Sequence, residues 1–219
     1  MKQSFAILGL GYFGVTVAKE LMRRGNDVMG VDRDEERVNA LSDEFSHALV
    51  ANVTDRQALD ELSLDGYDAV VIDVGDSLEA SMICTLLAKE QGAHEIWVKA
   101  HSDLHYRLLE HLGAHHLVYP ERDTGNQVAE NLHFNVLVDF IDLGDHQYVV
   151  DLKVTQRLSD KYASIESLEL DRLDLSLVAL KRDGRLLQAP DEEERLEVGD
   201  HMVMMGDMDE LRHLGKRFF

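Results

Sequence analysis

Apolar residues over the first 120 positions alternate between two patterns. Short, dense runs occur at Ser4–Leu8, Asp27–Val31, Ala48–Val50, Ala69–Val74, Glu95–Val98 and His116–Tyr119. Between them, Phe13–Arg24, Asp34–Glu44, Asp55–Leu62, Ser77–Gln91 and Asp103–Leu112 carry apolar residues at helical spacing, as Val17, Leu21 and Met22 do in the first. Dense runs bounded by turn residues read as strands, and the spaced segments as amphipathic helices. Six strands alternating with helices predict an α/β fold, a Rossmann-like doubly wound parallel sheet. Asp76-Ser77 and Ser102-Asp103 suit helix starts, since their side chains can accept from free backbone N–H groups. Gly25, Gly92 and Gly113 stand where helices should end.

A further helix is predicted over Glu121–Phe134, and then the pattern changes. Asn135–Leu143 reads as an extended linker. Beyond it, Gln147–Thr155, Leu175–Lys181, Arg185–Leu187 and Met202–Met205 read as strands, and Asp171–Leu173 and Met208–Phe218 as short helices. Asp183-Gly184 is a hairpin-turn signal. The expected organisation is a Rossmann-like domain over 1–134 and, over 135–219, the linker followed by a small α+β lobe.

The longest apolar stretches, such as Ala69–Ile72 and Asn135–Ile141, fall far short of the roughly 18–20 residues that a bilayer span needs. Met1-Lys2-Gln3 leads directly into a strand and not into a signal-peptide core. The expectation is a cytoplasmic chain without membrane insertion of its own. Acidic residues outnumber basic ones 42 to 22, a formal net charge of −20. Such a chain repels phosphate backbones and anionic headgroups, which argues against nucleic-acid partners and a basic membrane-binding face. Cys84 is the single cysteine. It lies in the apolar segment Met82–Leu87 without a neighbouring base, so a small buried hydrophobe is expected, not a nucleophile.

Candidate chemistry concentrates in Gly9-Leu10-Gly11-Tyr12-Phe13-Gly14, which follows a predicted strand and opens a predicted helix. That is the context a G-x-G-x-x-G loop requires. Gly9 permits the tight turn, Gly11 lets a phosphate approach the backbone, and Gly14 lets the helix pack against the strand. The helix N-terminus then offers N–H groups and a positive dipole to phosphate. Asp32 ends the second strand, 18 residues after Gly14, where a carboxylate can accept from ribose hydroxyls and would repel a 2′-phosphate. The reading is a nucleotide site, with Asp32→Ala expected to weaken binding and leave the fold intact. A dehydrogenase would need proton-transfer residues in a substrate domain. The second unit carries only His201 and His213 beyond His146, and no Ser-Tyr-x-x-x-Lys pattern is present.

These residues resemble the KtrA/TrkA regulators of bacterial potassium uptake, which carry regulator-of-K⁺-conductance (RCK) domains. The resemblance rests on Phe5–Gly14, Val31–Glu36, Ala51–Thr54, Ile96–Ala100, Leu112-Gly113-Ala114 and Pro120–Gly125. The second unit is similar to the family's C-terminal lobe at Ala179–Lys181, Ala189-Pro190 and Leu196–Asp200. The resemblance implies a non-enzymatic gating subunit that forms dimers and octameric rings beneath a potassium-translocating membrane subunit, with ATP and ADP competing for the glycine loop. Gly9, Gly11 and Gly14 would face the phosphates, with Tyr12 and Phe13 of the same loop as further cofactor-binding candidates. Asp32 would hold the ribose, Asn52 and Val53 would lie near the adenine, and Lys99, at a strand's carboxyl end, would reach the phosphates. Arg33 and Gly75 are further cofactor-binding candidates. Glu121 matches an acidic residue associated with a cation near the nucleotide, Mg²⁺ or Ca²⁺. The alternative class is an NAD-binding sensor or dehydrogenase-like oxidoreductase.

Two positions depart from the family pattern. Tyr12 stands where an arginine usually reads the terminal phosphate, which predicts ATP and ADP affinities closer together than in an arginine-bearing relative, or a preference for a diphosphate or dinucleotide such as ADP or NAD. Asp73 stands where a small apolar residue is usual, and its carboxylate would either repel phosphate or hold a cation.

Six of the eleven histidines lie between His94 and His116. His101 and His105 share a helix face, but no third ligand accompanies them, so polar surface or interface residues are expected. Asp191–Glu194 reads as a solvated loop. Met202, Met204, Met205 and Met208 are expected to pack into the small core.

Overall fold

The computed structural model describes residues 2–75, 77–133 and 137–217. Tertiary contacts divide the chain into two compact units, Met1–Glu121 and Arg122–Phe219.

In the first unit, β1 (Ser4–Leu8), β2 (Asp27–Asp32), β3 (His47–Val50), β4 (Ala69–Ile72), β5 (Ile96–Lys99) and β6 (His116–Val118) form one parallel sheet. Its order is β3-β2-β1-β4-β5-β6. This is the doubly wound order, reversing between β1 and β4, and ligands bind at the carboxyl ends of strands beside such a reversal. The connecting helices are α1 (Tyr12–Arg23), α2 (Glu35–Leu41), α3 (Arg56–Asp60), α4 (Leu78–Glu90) and α5 (Asp103–Leu112).

Strand alternation explains why both sheet faces are apolar. Ala6 and Leu8 of β1 point with Val70, Ile72 and Val98 into one core, which takes Leu59 from α3, Cys84 and Leu87 from α4 and Leu109 from α5. Ile7 points the other way, with Val28 and Val71, onto Ala18 of α1 and Val38 of α2. Each fully buried Leu or Ile contributes roughly 1.5–3 kcal/mol relative to exposure. Ser77 caps α4 by accepting from Ala80 N–H, and Ser102 caps α5 by accepting from His105 N–H. Cys84 is buried as expected, and burial pushes its thiol pKa up.

Helix α6 (Pro120–His133) continues past the division between the units. The segment read as a linker is instead largely a strand, β7 (Leu137–Gly144). It pairs antiparallel with β8 (Gln147–Lys153), with Ile141 opposite Val149. The tight turn between them places Asp145 and His146 at positive φ, a mirror-image turn without the glycine signal that betrays one in sequence. Phe134, read as the end of the preceding helix, and Asn135-Val136 of the linker reading lie outside the described residues.

After α7 (Gln156–Lys161) come β9 (Ser176–Arg182), β10 (Arg185–Gln188), β11 (His201–Asp207) and α8 (Met208–Arg217). The antiparallel sheet runs β10-β9-β11-β8-β7. Asp183-Gly184 turns β9 into β10 with both residues at positive φ, as the sequence predicts. Met202 and Met204 enter the core, whereas Met205 points away and is 40% exposed. Strand alternation thus corrects the expectation that all four methionines pack inward. The expectation for Asp171–Leu173 is met by a single 3₁₀ turn, Leu170–Leu173.

Candidate functional site

At the carboxyl ends of β1, β2 and β4, a cavity of about 680 Å³ opens between the glycine loop and the starts of α2 and α4. That volume lies within the roughly 300–1,000 Å³ typical of small-molecule sites. The loop is fixed by packing. A Cβ on Gly9 would sit 1.9 Å from the carbonyl oxygen of Asp73, and one on Gly14 would sit 2.3 Å from the carbonyl oxygen of Gly9. Gly9 and Gly14 are therefore required by close backbone approach, whereas the nearest neighbour of a Cβ on Gly11 would be the Asp73 side chain. Gly11 is the N-cap of α1 and has no side chain with which to cap it.

Asp32 anchors the opposite wall. Its carboxylate accepts from Leu10 N–H at 2.8 Å, from Asp34 N–H at 2.9 Å and from Arg37 Nη1 at 3.0 Å. A carboxylate has about four acceptor positions, so capacity for one ribose hydroxyl remains. The same bonds correct the expectation that Asp32→Ala leaves the fold untouched, because alanine would strand two backbone donors of a loop that Asp32 holds in place.

Burial alone would raise the Asp32 pKa. The hydrogen bonds from Asp34 and Leu10 and the Arg37 guanidinium outweigh it and hold the group below its ordinary value of 3.8. A depressed native pKa gives stability that is present above the unfolded value and lost as pH falls through the native one. Urea unfolding is therefore expected to show acid destabilisation setting in below about pH 4, part of which disappears in Asp32→Asn. An identical pH dependence in the variant would contradict this.

Seven residues expected from sequence line the cavity: Gly9, Gly11, Asp32, Arg33, Asn52, Val53 and Gly75. Asn52 accepts from Thr54 N–H and Oγ1, which fixes its carbonyl in the turn after β3. The others lie elsewhere. Tyr12 is 93% exposed, and Phe13 packs beside the core behind the loop. Gly14 supports the loop from within the first turn of α1. Lys99 Nζ stands 2.8 Å from Glu121 Oε1 and 5.9 Å from the Phe13 ring centroid, within cation–π range. The Lys99 ammonium, through its hydrogen bond, holds the Glu121 carboxyl below the usual carboxylate range. Among the described residues, no group of three or more His, Cys, Asp or Glu is placed to hold a metal ion.

Arg37 and Asp73 are site residues that sequence reasoning missed or left undecided. Arg37 sits five positions after Asp32, in the first turn of a helix that brings it back onto that carboxylate. Ile83 and Ala80 add an apolar wall from α4. His105 is also corrected. It is fully buried, not a surface residue, and its Nδ1 accepts from His101 N–H. Burial, with the neighbouring His101 charge, pushes its pKa down.

Residues 5–120 match the family model described as the TrkA-N domain. The chain is 34% identical over 220 residues to the Ktr system potassium uptake protein C of Bacillus subtilis (strain 168), covering 99% of this chain and 98% of that protein. It is 37% identical over 210 residues to the Ktr system potassium uptake protein A of Vibrio alginolyticus, covering 95% and 94% respectively. Among solved structures, the GsuK channel bound to NAD shares the fold at a TM-score of 0.69 and 18% identity, over 100% of this chain and 40% of that one. With the loop sequence, the doubly wound sheet and relatives matched end to end, the chain belongs to the KtrA/TrkA family of RCK-domain proteins.

Proposed function

We propose that this chain is a regulatory subunit of a potassium uptake system, a sensor of adenine nucleotide and not an enzyme. The observation that carries the reading is the cavity where the glycine loop, Asp32 and the Asn52-Val53 turn converge at the strand-order reversal. The relatives' part in potassium uptake supports the setting. In this reading ATP and ADP compete for the cavity. The adenine lies toward Asn52 and Val53, the ribose at Asp32 beside Arg33, and the phosphates toward Gly9, Gly11 and Gly75. A ligand moves such a switch only as far as its affinity differs between the two shapes.

The assembly we propose is a homo-oligomer, dimers joined into an octameric ring, bound from the cytoplasm to a membrane potassium-translocating subunit. No helix among the described residues is long and apolar enough to cross a membrane. Exposed apolar side chains on α4 (Leu78 and Leu86) and on β7 (Ile141 and Leu143) are the surfaces proposed for self-association. A cation, Mg²⁺ or Ca²⁺, held at Glu121 would have to displace Lys99 from that carboxylate.

Calorimetric titration with ATP, ADP and NAD, alongside native mass spectrometry, tests the reading. Adenine nucleotide should bind one site per chain, and Asp32→Asn should weaken it about tenfold or more through lost charge-assisted hydrogen bonds. No binding, or unchanged affinity in a folded variant, would sink the ribose assignment. A second reading, an NAD sensor or dehydrogenase-like enzyme, draws on the same carboxylate. It would be favoured by tight NAD binding with ATP and ADP excluded, and its enzymatic form by hydride transfer.

A further inference from the structure

Helix α1 lacks a capping side chain and has no acidic residue in its first turn. The anion its N-terminus favours nevertheless arrives from another element. Asp73, immediately after β4, places Oδ2 3.0 Å from the backbone nitrogen of Gly14 and accepts its N–H. The same oxygen lies 2.8 Å from where a Cβ on Gly11 would stand. The space that Gly11 leaves clear on the cavity side is thus filled by a carboxylate. Asp73 is only 5% exposed, and among the described residues no cationic side chain is paired with it. Of the charged side chains lining the cavity, Asp32, Asp34, Asp73 and Glu79 outnumber Arg33 and Arg37, and Arg37 is already committed to Asp32.

We propose that Asp73 is a built-in competitor of the ligand's phosphate: its carboxylate occupies the anion seat at the start of α1 and must leave before a diphosphate can settle on the glycine loop. This rests on the reading of the cavity as a nucleotide site. The physical reasoning is one of substitution. An N–H that already donates to a carboxylate gains little by exchanging it for a phosphate oxygen, and the displaced carboxylate stays nearby as a like charge. Phosphates therefore contribute less to affinity here than a free glycine loop and helix N-terminus allow. Adenosine, which carries no phosphate, is indifferent to Asp73. The site reads nucleoside strongly and phosphate weakly, and the contrast between ligands of different phosphate number is compressed.

The test compares wild type with Asp73→Asn and Asp73→Ala, titrating adenosine and ADP in the presence of EDTA to remove bridging cations. Asparagine keeps a neutral acceptor for Gly14 N–H, so it holds the loop if alanine does not. Circular dichroism melts identify which variants are folded. The expected result is ADP affinity raised about tenfold or more in the folded variants, with adenosine affinity unchanged within about twofold. ADP binding no tighter than wild type, while adenosine still binds, overturns the proposal and leaves the nucleotide site standing. Absence of binding by both ligands in all proteins overturns the nucleotide reading and the proposal with it. A parallel gain for adenosine and ADP also overturns it, since that reports general loosening of the cavity and not relief at the phosphate seat.

Discussion

Gly9→Ala is expected to destabilise the first unit by about 3 kcal/mol or more and to abolish ligand binding at the glycine loop. Two independent strains add. Gly9 has φ +102°, a conformation that L residues rarely adopt, and its new Cβ would stand 1.9 Å from the carbonyl oxygen and 2.4 Å from the carbonyl carbon of Asp73. Neither neighbour can yield cheaply. Gly9 N–H donates to Val31 O at 2.7 Å, and Asp73 N–H donates to Leu8 O at 2.8 Å, so both backbones are tied to the sheet. Gly75→Ala is the control, because Gly75 has φ +74° but nothing lies within 4 Å of its added Cβ. It should cost only the left-handed penalty of about 1–2 kcal/mol. Thermal melts separate the two, at roughly 2–4 °C per kcal/mol for a chain of this size. A Gly9→Ala protein that melts no lower than Gly75→Ala would show that the loop does not pass this close to β4.

Much of the first unit was legible because its signals are local. Each strand of the parallel sheet is a dense apolar run, each helix has a period, and the G-x-G-x-x-G loop carries its own context. Asp32 could be placed because a strand end fixes where its side chain points. Arg37 and Asp73 were harder for the same physical reason: their partners are set by tertiary approach. Nothing in the sequence around Asp73 says that β4 will deliver its carboxylate to the first turn of α1, 59 positions away. His105 was misplaced because a polar side chain on a helix was assigned to solvent, whereas the face it shares with Leu109 is the buried one. β7 was misread as linker because a strand at the edge of an antiparallel sheet is recognised by its pairing, and its turn, Asp145-His146, lacks glycine. Lys99 and Glu121 were assigned separate roles, one to phosphate and one to a cation, and the structure joins them to each other.

In the second unit, Arg182→Leu is expected to cost about 3–5 kcal/mol, and Arg182→Leu with Asp200→Leu together should be less damaging than Arg182→Leu alone. Asp200 is 2% exposed, and its two oxygens receive Arg182 Nε at 2.9 Å and Nη2 at 2.8 Å. Glu197 N–H also donates to it at 2.8 Å. The guanidinium further reaches Glu194 at 3.0 Å and Glu197 at 3.1 Å, and it donates to the Arg195 carbonyl at 2.6 Å. One cation thus contacts three carboxylates and pins the 194–200 segment to β9. Removing it leaves Asp200 buried with a single backbone donor, and it leaves Glu194 and Glu197 as unrelieved like charges. Replacing both members by leucine removes the stranded anion, and a buried pair exchanged for apolar groups is often near neutral. The double variant still forfeits the ties to Glu194, Glu197 and Arg195, so it should fall between wild type and Arg182→Leu. Hydrogen exchange at the β9 and β11 amides reports the loss locally, which suits a chain of two compact units better than one melting temperature. A double variant less protected than Arg182→Leu would mean that Asp200 stabilises the unit without its cation, and the bidentate pair would not be what holds this segment in place.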